Sequence, residues 1–599
     1  MDAVSLRAAQ QLDDASDELR ALRVNGHAAL LLEFQGADPD AIAELLRSTS
    51  ALIAGLEVVS PVTFTADGAE RAALWHIRKG LFTSVAGSRP AGTMALLEDI
   101  AVPVPRLLET CERLVAMFDA HGYEDSVIFG HAKDGNIHFM LNERFDDPQS
   151  LRRYERFTEE MVDLVLEMGG VLKAEHGTGR IMAPFVRRQY GDELYAVMCE
   201  VKALFDPDGL LNPGIVLSDL AGSYLADLKV MPTVEAEVDR CVECGYCEPA
   251  CPSKDLTLTP RQRIVVRREM RVAELAGDTR LLAELQRDFD YEGIDTCAVD
   301  GMCQVACPVS INTGDLVRRL RAENEGAVAG AAWRAAAAGW GAVTSAVSLA
   351  LTVADRMPPR LVQAGTGLGR AVLGADTVPA YSPELPGGGR RRAERSDPSA
   401  DIVYFPSCTG TMFAGAAGAG GVAAAFLALC DRAEVRVSVP SGIAAACCGT
   451  PWKSKGHLAG YRTATDRTLP MLWEASDSGR LPIVCDASSC TEGLETMRAA
   501  AAESRYAALT FVDSVAFAHE SLLSRLPVTH PIPSIAIHPT CSSTQLGDND
   551  ALVAIARRIS PDAVVPDSWG CCGFAGDRGL LHPELTESAT VFESAEVGS

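Results

Sequence analysis

The sequence predicts a multidomain chain in which an α+β domain, a small α-helical metal-binding domain and a duplicated α/β domain follow one another. Three observations carry that expectation. The 599 residues exceed what a single hydrophobic core organises, and at about 150 residues per domain they suffice for three or four. The pattern of apolar residues changes character along the chain, from mixed to helical to alternating strand and helix. The 18 cysteines gather in tight clusters instead of spreading through loops.

Taken in order, residues 1–225 mix helical periodicity with strand-like runs such as AALLLEF (Ala28 to Phe34) and DSVIFGH (Asp125 to His131), and close on the turn-rich DPDGLLNPG. Residues 230–325 hold two cysteine clusters separated by a charged helical stretch, RQRIVVRREMRVAELAG, with little strand signal. Residues 326–398 begin as Ala-rich helix and end in YSPELPGGGRRRAERSDPSAD, whose Pro, Gly and charge content reads as an exposed linker. A domain boundary is expected near Asp401. Residues 399–599 alternate strand-like runs (DIVYFPSC, PIVCDASSC, SIAIHPTC) with helices. Within them Cys408 is followed by Cys447, Cys448 and Gly449, and Cys541 by Cys571, Cys572 and Gly573, which points to a tandem duplication.

Composition narrows the function. Against 54 basic residues stand 80 acidic ones, a formal charge of -26 that repels phosphate backbones, so nucleic acid is not an expected partner. The clustered cysteines suit metal binding in a reducing cytosol, and MDAVSLRAAQQLDD lacks the basic and apolar regions of a signal peptide. The expected compartment is the cytoplasm. One uncharged stretch, Ala335 to Ala354, has the length of a membrane span. Its Ala, Gly, Ser and Thr content favours a helix packed on protein, while docking at the inner face of the cytoplasmic membrane stays compatible with it.

The cysteine spacing is specific. Cys241, Cys244, Cys247 and Cys251-Pro252 form C-x2-C-x2-C-x3-C-P, which wraps a cubane iron-sulfur cluster and sends its fourth thiolate to a second cluster. The second motif is Cys297, Cys303 and Cys307-Pro308, with Asp300 where a middle cysteine is expected. By the crossed rule one 4Fe-4S cluster takes Cys241, Cys244, Cys247 and Cys307. The other takes Cys297, Cys303 and Cys251, with Asp300 or an exogenous ligand on its last iron, or is a three-iron cluster. Zinc ribbons would instead show paired C-x2-C knuckles without the C-P triplet.

The two Cys-Cys-Gly copies resemble the cysteine-rich, CCG-motif family found in heterodisulfide reductase and in the iron-sulfur subunits of glycolate and glycerol-3-phosphate dehydrogenases. That resemblance implies a further iron-sulfur cluster, held in the first copy by Cys408, Cys447, Cys448 and Cys490, with Cys485 a weaker candidate because the family's C-x2-C is here C-x4-C. In the second copy it nominates Cys541, Cys571 and Cys572, and the partner expected downstream would fall beyond Ser599. Cys111, Cys199 and Cys430 have no partners at useful spacing and are expected as core thiols.

The first domain carries GHAKDGNIHF (Gly130 to Phe139), AEHGTGR (Ala174 to Arg180) and DPDGLLNPG (Asp206 to Gly214). Two imidazoles and a carboxylate can hold a divalent metal that acidifies a bound hydroxyl. These motifs resemble the C-terminal half of FAD-linked oxidases of the vanillyl-alcohol oxidase superfamily, in the D-lactate and D-2-hydroxyglutarate dehydrogenase branch; Lys133 departs from the family's usual Gly. The resemblance implies an FAD-oxidase cap domain with His131, His138 and Glu175 on a Zn or Mn ion, His176 as general base, Arg78 of LWHIRKG clamping the substrate carboxylate and Asn212 near the flavin. It also implies an FAD-binding domain of roughly 200 residues before this segment, so that both ends of the chain are expected to be cut.

Joined together, these resemblances imply a dehydrogenase that oxidises D-lactate or a related D-2-hydroxy acid and relays electrons through 4Fe-4S clusters to a cytochrome or quinone. D-2-hydroxyglutarate or glycolate is the alternative substrate. An electron-transfer subunit working with a separate flavin chain is the alternative role.

Overall fold

The computed structural model describes residues 1–11, 15, 17–416 and 420–598, the side chains of residues 18, 76, 79–81 and 84 excepted. The chain divides into two units, Met1–Cys244 and Gly245–Ser599. The break falls inside the first cysteine motif, and no break between units occurs at the boundary expected near Asp401.

The first unit is built on an antiparallel sheet in the order β1-β3-β2, with β1 Met94–Ala101, β2 Val127–His131 and β3 Asn136–Glu143. Because side chains alternate across a strand, Ile100, Ile128, Ile137, Phe139 and Leu141 share one face. They pack there against Leu114 and Phe118 of helix Leu107–His121 and Tyr154, Phe157 and Met161 of helix Pro148–Glu167. The other face, with Phe129 and Met140, packs on Ala9 of helix Ala3–Gln10 and on Val85 and Ala86 of helix Gly68–Gly87. The run Ala28 to Phe34 is not a strand: it exchanges hydrogen bonds with Met1 at Ala29, 2.9 and 3.1 Å, and leaves Leu30 72% exposed. A short apolar run makes a segment strand-like but supplies no partner, and at β2 the Asp2 amide already donates to the Ile128 carbonyl.

In the second unit the regular elements described over residues 245–323 are helices, joined by the turns that carry the cysteines. Helix Pro260–Ala276 opens with a reciprocal Thr259–Gln262 capping box. Beyond them lies a parallel sheet in the order β5-β4-β6-β7, made of β4 Ile402–Phe405, β5 Val437–Ser438, β6 Ile483–Cys485 and β7 Phe511–Asp513. A two-stranded parallel sheet follows, β8 Ser534–Ala536 with β9 Asp562–Val564. Strand, cysteine, helix, parallel strand and Cys-Cys-Gly turn thus occur twice in the same order, β4/β5 and β8/β9 being equivalent.

The Ala-rich segment and linker expected over residues 326–398 are part of this fold. Helix Ala327–Ala338 packs along helix Leu458–Ala475, and Trp340 meets Trp452 in the α/β core with ring centres 4.8 Å apart. The presumed exposed linker is tightly packed: a Cβ at Gly388 would lie 1.9 Å from the Ser348 carbonyl oxygen, and buried Arg392 donates to the carbonyls of Pro406, Ala444 and Ala446 at 2.8–3.1 Å. Gly and Arg read as solvated by composition, but here missing side chains admit a backbone and a guanidinium fork satisfies bare carbonyls. No single helix among the described residues is long and apolar enough to cross a membrane; Ala327–Ala338 and Trp340–Asp355 meet the length and composition only as a pair bent by 94°.

Candidate functional site

Register assembles the first site. His138 on β3 lies directly opposite Asp99 on β1 and Phe129 on β2, and His131 opposite Asn136, so all five side chains face the same side of the sheet. The hairpin turn between the histidines requires Gly135, at φ 66°, where a Cβ would fall 1.9 Å from the Val102 carbonyl oxygen. Lys133, the departure from the family pattern, sits exposed on that turn. After helix Pro148–Glu167 the chain returns alongside β1, Val171 bridging Ala101, and delivers Glu175 and His176.

Asp99, fully buried, holds that loop. Its Oδ2 accepts the amides of Glu175 and His176 at 2.7 Å and of Ala174 at 3.2 Å, and its Oδ1 accepts from Asn136 Nδ2 at 2.7 Å. Burial works to raise its pKa, but these donors outweigh it and hold the carboxyl below its ordinary value. Sequence reasoning missed Asp99: the adjacent carboxylates Glu98 and Asp99 inside ALLEDIA carry no motif, and only the strand register sets Asp99 against His138.

Around this anchor the expected ligands converge. Glu175 Oε1 lies 2.9 Å from His138 Nε2, 3.4 Å from His131 Nε2 and 3.6 Å from His176 Nε2. The coordinating atoms of His131, His138 and Glu175 all lie within 4.8 Å of one another, and those of Asp99, His138 and His176 form a second such group. The His138 and His176 rings stack at 4.8 Å and 4°. His138 is buried, His131 and His176 exposed. Burial, against the pull of Asp99, lowers the His138 pKa and keeps its ring neutral, as a metal ligand requires. Arg78 lies with its guanidinium 5.2 Å over the Phe129 ring, and its charge acts on Glu175. Asn212 stands apart from these contacts, exposed at φ 45° in a turn pinned by Asp206, which accepts the amides of Leu210 and Leu211.

The thiols are arranged in sets. In the first unit Cys241 is buried, with its carbonyl accepting from buried Arg89 at 2.9 Å, and Cys244 is exposed. In the second, Cys247 and Cys307 are half-buried and Cys251, Cys297 and Cys303 are buried. The last three surround the buried guanidinium of Arg263, whose Nη1 lies 3.7 Å from Cys251 Sγ. Burial, then Asp300, Cys297 and Cys251, push the Cys303 thiol up to about 12, so these four residues share one dry site. Around the first Cys-Cys-Gly turn, thiol contacts run from Cys408 to Cys447, to Cys448 and to Cys490. Cys485 is buried beside them and bonds Thr491 instead. Gly449 is needed there: at φ 81° a Cβ would meet Met497 at 2.5 Å and Tyr461 at 2.7 Å. In the second copy Cys541 contacts Cys571, while Cys572 contacts His538. Of the expected core thiols Cys430 is buried and Cys111 half-buried, but Cys199 is exposed on helix Val186–Phe205, beside other outward apolar residues such as Leu194 and Val197.

Residues 1–216 match the family of FAD linked oxidases, C-terminal domain, and residues 237–311 match the 4Fe-4S dicluster domain. The chain joins an FAD-linked oxidase C-terminal domain to a 4Fe-4S dicluster domain. It is similar to the glycolate oxidase subunit GlcD of Escherichia coli K12, 32% identical over 36% of this chain and 41% of that protein. It is also similar to the D-2-hydroxyglutarate dehydrogenase of Pantoea ananatis, 30% identical over 41% and 29%. With the mitochondrial cytochrome-type D-lactate dehydrogenase of Arabidopsis thaliana it shares 32% identity over 24% of each. The chain thus spans less than half the length of these relatives. The oxidase domain implies FAD, and the dicluster domain implies 4Fe-4S clusters.

The side chains fit the groups so implied to different degrees. For a divalent cation the N, N, O set of His131, His138 and Glu175 is apt, and buried His138 Nδ1 has no hydrogen-bond partner, 3.4 Å from Asp99 Oδ1. For clusters, the dicluster domain offers buried thiols beside a buried cation. For FAD only Asn212 is on hand from the expected contacts, so FAD enters from the domain family and not from a cradle in these residues.

Proposed function

We propose that this chain is the substrate-oxidising and electron-relay part of an FAD- and iron-sulfur-dependent dehydrogenase that converts D-lactate, or a related D-2-hydroxy acid, to the 2-oxo acid. The observation that carries the reading is the convergence of His131, His138, Glu175 and His176 on one sheet face, in a chain that also holds a dicluster domain. A divalent cation, Zn or Mn, would be held by His131, His138 and Glu175 and would supply Lewis acidity toward the substrate's hydroxyl and carboxylate oxygens. FAD, when bound, supplies the acceptor for the electron pair and the α-hydrogen.

The chain's own residues do the rest. His176 takes the hydroxyl proton at an imidazole nitrogen; its backbone is fixed by Asp99 and its ring by the stack on His138. Arg78 pairs with the substrate carboxylate as a fork, its guanidinium held over the Phe129 ring. Asp99 orients both histidines, Nδ1 of each pointing at its carboxylate, at 3.4 Å for His138 and 3.9 Å for His176. The thiols of the dicluster domain and of the first Cys-Cys-Gly copy then carry clusters that pass electrons singly toward a cytochrome or quinone. The reading includes a cytoplasmic location, at the inner face of the membrane where such an acceptor is met.

The test is anaerobic titration of the chain, with its flavin-bearing partner region supplied, using D-lactate, D-2-hydroxyglutarate and glycolate in turn. Cluster bleaching and EPR signals with one of them, abolished in His176→Ala, support the reading. Signals that arise only with dithionite sink it. A second reading is favoured by the similarity to a protein described as a subunit: the chain would serve as electron-transfer subunit to a separate flavin chain, and reduction by substrate would then require that second polypeptide.

A further inference from the structure

The second thiol set of the dicluster domain is one cysteine short, and what faces the gap comes from the far end of the chain. Asp300 stands where the motif spacing calls for a thiol. Its Oδ1 accepts from the Met302 amide at 3.3 Å, and its Oδ2 is buried. The thiol that meets this carboxylate belongs to Cys571, which in turn contacts Cys541.

The approach is built into the packing. Helix Cys541–Leu546 lies on helix Met302–Ala306, and the Gln545 amide donates to the Asp300 carbonyl. A Cβ at Gly301 would stand 2.5 Å from Gln545 Nε2, and one at Gly573 3.3 Å from the Cβ of Pro252, the residue that follows Cys251. The second Cys-Cys-Gly turn therefore sits directly on the second dicluster site. The two copies diverge here. In the first, Cys448 continues the thiol chain to Cys490; in the second, Cys572 turns to His538, whose Nδ1 bonds Glu593 at 2.7 Å, and Cys571 is left on the dicluster side.

We propose that Cys571 supplies the fourth protein ligand of the second 4Fe-4S cluster, completing Cys251, Cys297 and Cys303, with Asp300 as its hydrogen-bonding neighbour rather than the iron ligand. The proposal rests on the dicluster assignment. Its chemical ground is softness: where a thiolate and a carboxylate reach the same iron, the sulfur-rich iron of a cluster takes the thiolate. One cluster would then be shared between the ferredoxin-type helices and the duplicated α/β half, with no gap for an electron to cross between them.

The experiment uses the full chain, purified anaerobically, with iron analysis, Mössbauer spectra and EPR after mild oxidation. Cys571→Ser is expected to lose about one iron per chain and to show the signal of an oxidised three-iron cluster. Asp300→Ala and Cys572→Ser should keep the four-iron form at this site. Should Cys571→Ser misfold, Cys571→Asp decides: an altered spectrum at one iron of the cluster, or its loss, supports the proposal, and an unaltered four-iron spectrum overturns it. A three-iron signal in Asp300→Ala but not in Cys571→Ser also overturns it, making Asp300 the ligand. A wild-type chain that holds no cluster at all removes the dicluster assignment itself, an outcome distinct from these.

Discussion

Replacing Asp99 with Asn keeps the shape of the side chain and removes one of two acceptor oxygens, which makes it the sharpest test of how the histidine site is held. Oδ2 serves three loop amides and Oδ1 serves Asn136 and faces His138 Nδ1. The asparagine oxygen will stay with the three amides, so its NH2 group turns toward His138. The imidazole must then accept at Nδ1, which puts its proton on Nε2, the atom 2.9 Å from Glu175 that a metal needs. Loss of such an orienting partner costs about 10–100-fold in metal affinity. The lost charged hydrogen bonds cost about 1.5–3 kcal/mol, or roughly 5–10 °C in the melting of a unit this size. Manganese titration followed by EPR reads the first quantity and calorimetry the second. The pH dependence has a definite sign. Because the folded state holds the Asp99 carboxyl below its ordinary value of 3.8, its contribution is present above that value and lost as the pH falls through the lower folded value. The melting difference between wild type and Asp99→Asn should therefore shrink in strong acid. Manganese affinity within twofold of wild type, with an unchanged melting temperature, would refute the reasoning.

Other variants probe separate parts of the molecule. Arg78→Lys exchanges a fork for a point charge and should raise the KM for the hydroxy acid by about 10–100-fold with a smaller change in kcat, read by steady-state assay with an artificial acceptor. Cys448→Ser, at the centre of the thiol chain from Cys408 to Cys490, should remove the iron bound there while the dicluster EPR signals persist. His538 is held up at about 9, chiefly by Cys572 and then Glu593, against burial. In the iron-free chain its stabilisation is complete below 6.5 and fades as the pH rises toward 9. The melting advantage of wild type over His538→Gln should vanish across that window.

What the sequence disclosed follows what spacing can encode. His131 and His138 sit on either side of a glycine turn, and the hairpin converts that spacing into one sheet face; Cys251, Cys297 and Cys303 come from dense local motifs and meet around Arg263. Asp99 was hidden because its role depends on pairing with a strand some forty residues away in sequence. The segment Ala28 to Phe34 has the apolar run of a strand but bonds Met1 at Ala29 instead of joining the sheet. Arg392 and the Gly388–Gly389 pair misled in the opposite way, since composition reports average solvation and cannot register a carbonyl waiting at the end of another element. Cys199 likewise lies on a helix whose outward side carries apolar residues, a case that residue type alone misplaces.

The pairing of helix Ala327–Ala338 with helix Leu458–Ala475 has a consequence for synthesis. The earlier helix leaves the ribosome about 120 residues before the one that covers it, and at about 5–20 residues per second it waits on the order of ten seconds. During that interval its alanine face and Trp333 are bare, and Trp452, whose indole donates to the Trp333 carbonyl, has not yet been made. The nascent chain is thus most open to misassociation midway through translation, when a holding chaperone would have the most to protect.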